Sequence, residues 1–392
     1  MDAFLLSAVR TPIGKFLGGL ADVPAPRLGA LVVAEALKRA GAAPGQVDEV
    51  ILGNVVQAGV GQNAARQAAL FAGLPDTVAA FTVNKVCGSG LKAVMLAAQA
   101  VRAGDADLVV AGGTESMSRA PYLLPGARAG FKYGHQQVVD SLIQDGLWCP
   151  FEDWAMGDAA EHVADRCAIP RAEQDRFAAQ SHRRAAEAWE KGLFDEEVVP
   201  VTVGEGPKAK TVSRDEGIRP DTTPETLAKL RAVFRPDGGT VTAGNASQLS
   251  DGAAAVVVAS ARAVEQLGAK PLARVVAYAT SGIHPKDIFL APVGAVRQVL
   301  EKAKWSMGDV ELFELNEAFA AQMLACGREL GLDEAKVNVH GGAVALGHPI
   351  GASGARVLVT LLYALKHRGA KRGLASLCLG GGNAVAMAVE MV

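Results

Sequence analysis

Cys87, His348 and Cys378 have the neighbours that covalent or proton-transfer chemistry would need. Cys87 follows the extended stretch Phe81-Thr82-Val83-Asn84 and precedes Gly88-Ser89-Gly90 and a helical stretch, Leu91–Arg102. Glycines there let the chain turn sharply and expose the N–H groups of the following helix. A thiol at that point feels the positive end of the helix, which favours thiolate and is expected to lower its pKa. That is the setting of a nucleophilic cysteine, although a buried thiol in a tight turn fits the same residues. His348 lies in Ala345-Leu346-Gly347-His348-Pro349-Ile350-Gly351, where a neutral imidazole can act as a base or a hydrogen-bond donor, or serve merely as a polar loop residue. Cys378 ends the apolar run Leu374-Ala375-Ser376-Leu377 and precedes Leu379-Gly380-Gly381-Gly382. A strand end is where open α/β sheets place their sites, and backbone N–H groups beside it can hold an oxyanion. Asn316, in Glu314-Leu315-Asn316-Glu317-Ala318-Phe319, reads equally as a site residue or a helix N-cap, and His340 reads as structural.

The elements around these residues recur. In the first part, Val47–Leu52, Phe81–Asn84, the glycine turn at 88–90, helix Leu91–Arg102 and strand Leu108–Ala111 run on to Gly112-Gly113. In the last third, Val310–Phe313, Val337–Val339, Gly351-Ala352-Ser353-Gly354, helix Ala355–His367 and strand Leu374–Leu377 run on to Gly380–Gly382. Each series reads as strand, glycine turn, helix, strand, which is the α/β pattern with largely parallel strands. Duplicated halves are therefore expected: an N-terminal half at 1–115, completed by about 250–270, and a C-terminal half at 271–392. Between them, 116–249 reads as an inserted loop domain. It carries a charged helix from about Arg171 to Lys191, with Pro170 at its start and Gly192 past its end. The stretch Pro121–Gly134 is expected to sit over a site.

Composition excludes several classes. With 39 Lys+Arg against 41 Asp+Glu and a formal net charge of -2, no global positive field exists for nucleic acid or an anionic membrane. No run approaches the ~18 apolar residues of a membrane helix, and the acidic Met1-Asp2 start lacks the positive region of a signal peptide, so the cytoplasm is the expected compartment. The five cysteines are scattered and form no CxxC pair, which argues against both a disulfide framework and a zinc site. Gly88-Ser89-Gly90-Leu91-Lys92-Ala93 also matches the dinucleotide fingerprint, with Glu115 the one acid placed to meet a ribose.

Taken in order, these blocks resemble the thiolase family, nearly end to end. The residues that carry the likeness are Val86-Cys87-Gly88-Ser89-Gly90, Gly112–Ser118, Ala243-Gly244-Asn245-Ala246-Ser247, Asn316–Ala320, Gly347–Gly354 and Cys378–Gly382. The resemblance implies a five-layered α-β-α-β-α core plus a loop domain, a homodimer or homotetramer, and no metal or cofactor, coenzyme A being a substrate or product. It implies that Cys87 takes the acyl group while His348 accepts its proton, and that Cys378 deprotonates the α-carbon of acetyl-CoA. It further implies one oxyanion site at His348 with a water held by Asn316, and another at the N–H groups of Cys87 and Gly380.

For acyl-CoA thioesters, the likeness places Ser247, Ala243, Ala318 and Phe319 along the pantetheine and Leu147 and Met156 nearer the acyl end. Arg219 and Phe234 match positions meeting the nucleotide portion. Three departures stand out: Ala155 where a histidine is common, Asp287-Ile288-Phe289-Leu290-Ala291-Pro292 in place of a methionine- and glycine-containing loop, and His340 for an asparagine. Phe289 and Leu290 either narrow the acyl pocket or pack elsewhere. The expected activity is condensation of two acetyl-CoA to acetoacetyl-CoA, with a broader-chain degradative 3-ketoacyl-CoA thiolase and a non-catalytic thiolase-like lipid-binding protein as alternatives.

Overall fold

In a computed structural model describing residues 2–392, the two series of elements become two half-sheets with one topology. The N-terminal half contains β1 (Ala3–Arg10), α1 (Ala25–Ala40), β2 (Glu49–Gly53), α2 (Ala64–Phe71), β3 (Ala79–Val83), α3 (Ser89–Ala103) and β4 (Leu108–Ser116). After the inserted region, with α4 (Met156–Arg166) and α5 (Arg171–Glu190), β5 (Ser250–Ser260) completes it. The C-terminal half contains β6 (Ala273–Gly282), α6 (Ala291–Ala303), β7 (Leu312–Leu315), α7 (Ala320–Leu330), α8 (Ile350–Arg368), β8 (Arg372–Leu379) and β9 (Asn383–Met391).

The N-terminal strands lie in the order β3-β2-β4-β5-β1 and the C-terminal ones in the order β7-β8-β9-β6. A parallel bridge from Val337 to Phe313 stands where β3 stands in the first half. Both halves thus follow the order third, second, fourth, fifth, first. The sheets meet at their edges, where β1 pairs with β6 through Phe4–Arg274 and Leu5–Ala273.

The expected largely parallel sheet is in fact mixed. β2 runs parallel to β3 and β4, and β7 to β8, but β5 is antiparallel to β4 and β1, and β9 to β8 and β6. The physical reason is the fourth-to-fifth connection. In the C-terminal half it is a tight hairpin, with Leu379 opposite Asn383, and a hairpin can only join antiparallel neighbours.

Three apolar clusters hold five layers together. One face of α1, including Leu28, Val32, Val33 and Ala36, packs on Val50, Leu52, Val110 and Val257 of the first sheet. In the middle, α3 and α8 lie between the sheets. On the far side, α6 and α7 cover the second sheet through Val296, Val299, Met323 and Cys326. Residues Ile350–Leu365 of α8 are buried on every face, as a central helix must be. The two central helices touch at glycines: a Cβ on Gly90 would lie 2.7 Å from the Ala355 nitrogen, and one on Gly354 would lie 2.3 Å from that of Leu91. The contact sets the starts of both helices side by side, with Cys87 just before one and His348 just before the other.

Candidate active site

The Cys87 turn is strained and self-braced. Val86 holds φ +46°, a left-handed conformation that a β-branched residue rarely adopts. Ser89 Oγ donates to the Val86 carbonyl at 2.6 Å and accepts from the Lys85 N–H at 2.8 Å. Gly88 fits because a Cβ there would meet Leu379 Cδ2 at 2.1 Å. These contacts account for the glycine fingerprint as protein packing. Glu115 is likewise engaged: it is fully buried and accepts from the N–H groups of Val55, Val56 and Gly351 and from Asn54 Nδ2. The dinucleotide reading therefore loses both its phosphate turn and its ribose acid.

The lowered thiol pKa expected from the helix terminus is not what the structure gives. Burial pushes the Cys87 thiol up to about 12, against the opposing N–H groups of Gly380 and Cys87 itself, and Glu115 adds to the rise. Desolvation at the cavity floor outweighs the helix dipole. To act as a nucleophile, this thiol would need a base at the moment of attack.

His348 has the state for that. It is buried, and its imidazole pKa is pushed down to about 3 by burial, with Arg356 contributing, so it is neutral across the physiological range. Ser353 Oγ donates to the Pro349 carbonyl at 2.9 Å and lies 2.6 Å from His348 Nδ1. A hydroxyl has one hydrogen, so with that hydrogen given to Pro349, Nδ1 carries the proton that Ser353 accepts. Nε2 is left with its lone pair, 3.3 Å from Asn316 Nδ2. Asn316 is not a helix cap, since the N-cap of α7 is Phe319; its backbone N–H bonds the Ser376 carbonyl instead.

Cys378 is 2% exposed at the end of β8, and its thiol is raised well above the usual value by burial, then by the neighbouring Cys87 and Cys326. Beyond it, Gly381 and Gly382 take φ +79° and +81° to close the hairpin, and Gly380 packs against Val86, where a Cβ would be 3.1 Å from Cγ1.

Cys87, His348, Cys378 and Gly380 open on one cavity of about 420 Å³, and Asn316 stands behind His348. Of the expected CoA contacts, Leu147, Met156, Phe234, Ala243, Ser247, Ala318 and Phe319 line it. Two predicted blocks zip together there: Ser247 N–H donates to the Ala318 carbonyl at 3.0 Å, and Ala320 N–H to that of Asn245 at 2.9 Å. Gly157 is required beneath Phe234, whose ring lies 2.1 Å from where a Cβ would be. Arg219 does not line the cavity. It sits on an exposed segment tied to the lining through Gln248 Nε2 and the Gly217 carbonyl, 2.9 Å apart.

The expected cover of the site needs correction. Pro121–Gly134 does not cover the cavity; a small ladder between Tyr122–Leu123 and Val139–Asp140 holds it outward, and Tyr122 and Tyr133 are exposed. The cover comes from Ile143–Leu147, Ala155–Gly157, Val233–Phe234 and Thr242–Leu249. Of the departing loop, Ile288 and Phe289 line the cavity, while Leu290 packs beside it. His340 lies elsewhere, buried edge-on against Phe194 with ring centroids 5.9 Å apart, and burial lowers its pKa to about 4. Sequence reasoning gave Ser353 and Met117 no role and gave Glu115 only the ribose role. Ser353 stood in a quoted glycine block and was assigned no role; only its bond to His348 reveals one.

The family models for the thiolase N-terminal and C-terminal domains match residues 3–262 and 269–391. The chain belongs to the thiolase family. Thiolases similar to it include an acetyl-CoA acetyltransferase of Pseudomonas aeruginosa, 55% identical over 98% of each chain, and one of Cupriavidus necator, 54% identical over 99% of each. A probable acetyl-CoA acyltransferase of Staphylococcus aureus is 51% identical over 98% of each. Among solved structures, the acetyl-CoA acetyltransferase of Bacillus anthracis superposes with a TM-score of 0.98 at 46% identity, covering 100% of this chain and 99% of that one.

Proposed function

We propose that this thiolase is an acetyl-CoA C-acetyltransferase, catalysing reversible condensation of two acetyl-CoA to acetoacetyl-CoA and CoA. The observation that carries the reading is one cavity holding two thiols, a neutral imidazole and a glycine hairpin whose Gly380 N–H faces the first thiol. Cys87 attacks the thioester carbon as its proton passes to His348 Nε2. The tetrahedral oxygen is held by the N–H groups of Cys87 and Gly380, and CoA leaves as a thiolate that takes the proton of Cys378, so Cys378 becomes a thiolate while His348 keeps the Cys87 proton. Cys378, acting as thiolate, then takes an α-proton from a second acetyl-CoA. His348 Nε2, protonated in the acylation step, donates to the enolate oxygen; Asn316 Oδ1 is buried with no protein partner, which suits a water beside it. The carbanion attacks acyl-Cys87 and releases acetoacetyl-CoA, and the Cys87 thiolate takes its proton back from His348. Thiolysis is the same path reversed.

No cofactor beyond the substrates is needed, because the thioester acidifies the α-proton and fixed dipoles stabilise each anion. A binding module has no use for Cys87, His348 and Cys378 together. Ile288 and Phe289 on the cavity wall favour short chains over the broader degradative range. The nucleotide end of CoA lies beyond the lining, toward Arg219. The protein works as a homodimer or homotetramer; exposed Tyr122, Phe131 and Tyr133 support association. It acts in the cytoplasm, and among the described residues no helix is long and apolar enough to cross a membrane.

CoA-dependent cleavage of a 3-ketoacyl-CoA series tests this. A sharp maximum of kcat/KM at acetoacetyl-CoA is expected. Sustained activity on long chains would favour the degradative alternative, and no cleavage at all would overturn the catalytic reading.

A further inference from the structure

The segment Ile283–Leu290, which supplies Ile288 and Phe289 to the cavity, cannot hold its own shape. It is a short 3-10 turn interrupted at Asp287, where the backbone leaves helical angles (φ -97°, ψ 15°). Its position is set from outside, at three points. The Ile283 N–H donates to the Gly382 carbonyl at 2.8 Å, joining it to the catalytic hairpin. The Cys326 thiol of α7 donates to the Phe289 carbonyl at 3.0 Å. Between these, the Asp287 carboxylate meets two groups on successive turns of α4: His162 Nε2 at 3.0 Å and the Arg166 guanidinium. Burial disfavours the Asp287 charge, and hydrogen bonds from Arg166 and His162 outweigh that, leaving its carboxyl below the usual range. His162 is itself set by Trp154, with ring centroids 5.8 Å apart.

We propose that Asp287 is a positioning residue for substrate selection: through His162 and Arg166 it pins Phe289 as the end wall of the acyl pocket and confines the enzyme to short 3-ketoacyl chains. Phe289 is 2% exposed, packs edge-on against Phe319 with centroids 5.3 Å apart, and shares one apolar cluster with Cys378 and Met156. A chain extending past the two thiols runs into that cluster. The same helix that carries the latch begins with Met156 and Gly157 on the cavity, so α4 fixes two walls at once. A hydrophobic wall of this kind discriminates by the methylenes it excludes, about tenfold or more for each, provided it does not retreat.

This rests on the thiolase reading, and the experiment separates the two. The ratio of kcat/KM for 3-ketohexanoyl-CoA to that for acetoacetyl-CoA is measured for the unsubstituted enzyme and for Phe289→Ala, Asp287→Ala, His162→Leu and His162→Gln, with melting temperatures alongside. The ratio should rise about tenfold in Phe289→Ala and severalfold in Asp287→Ala and His162→Leu. It should stay at the parent value in His162→Gln, whose amide still donates to Asp287. Should Asp287→Ala fail to fold, His162→Leu carries the comparison. An equal loss on both substrates in Asp287→Ala and His162→Leu would make the latch merely structural and overturn the proposal, as would an unchanged ratio in Phe289→Ala. If the unsubstituted enzyme cleaves neither substrate, the thiolase reading itself falls.

Discussion

The two halves of the molecule share a strand order and a central helix, and they differ most where the fourth strand meets the fifth. In the C-terminal half that connection is the turn Gly380–Gly382; in the N-terminal half it is everything from 117 to 249. The short connection brings Cys378 and the Gly380 N–H to the floor of the cavity. The long one supplies most of its cover, through Leu147, Met156, Phe234 and Ser247. The helix starts diverge in the same way: the turn before α3 offers a thiol, and the turn before α8 offers an imidazole braced by Ser353. The shared strand order supplies a scaffold, and the groups proposed for the chemistry lie in the places where the two halves differ.

That contrast is open to attack at several points, the strongest being the N-terminal turn. Cys87→Ala should lower turnover by about 10³-fold or more, with no acyl-enzyme formed on incubation with acetyl-CoA. Residual turnover within tenfold of the parent would place the nucleophile elsewhere. Next comes the hairpin that the N-terminal half lacks. In Gly382→Ala the residue must hold φ +81° with a Cβ 2.4 Å from the Ile283 carbonyl oxygen, so the Gly380 N–H shifts; kcat should drop about 10²-fold, the cost of one oxyanion donor. An unchanged kcat would show that the hairpin geometry is dispensable.

Smaller effects probe what the halves have in common. Gly90→Ala and Gly354→Ala should each cost about 1–3 kcal/mol in urea unfolding. Because both open the same helix contact, the double variant should lose less than the sum; strict additivity would mean the helices do not touch there. The smallest effect concerns His348. Its folded pKa of about 3 lies below the ordinary 6.5, so between those values the unfolded chain binds a proton that the folded one does not. Its contribution to stability therefore falls as pH drops, by about 1 kcal/mol from pH 6.5 to 5.5. His348→Asn should lack that increment; identical pH slopes in both proteins would mean the imidazole is protonated when folded.

Much of this was legible in the residues. The Cys87–Gly90 turn, the helix from Arg171 and the Cys378–Gly382 strand end carry local signals that survive folding, and the glycine blocks fall where helices approach closely. What escaped was set by distance along the chain. β4 and β5 are separated by the inserted region, so nothing local announces that they pair antiparallel. The third strand of the C-terminal half shrinks to a single bridge at Val337, because its residues turn at once into the segment that carries His340. The Cys87 thiol is governed by burial beneath residues from both halves, which no reading of its own neighbours can supply. Glu115 acts through a partner 236 residues away, whereas Ser353 is only 5 residues from His348 and meets it through the turn that opens α8.

The central claim is a division of labour, with acylation at Cys87 and proton removal at Cys378. It is tested most directly by incubating Cys378→Ala with acetyl-CoA and measuring both the intact mass and the release of acetoacetyl-CoA. The account predicts an acetylated protein, modified at Cys87, with condensation lost. Condensation near the parent rate, or no acetylation at all, would contradict it.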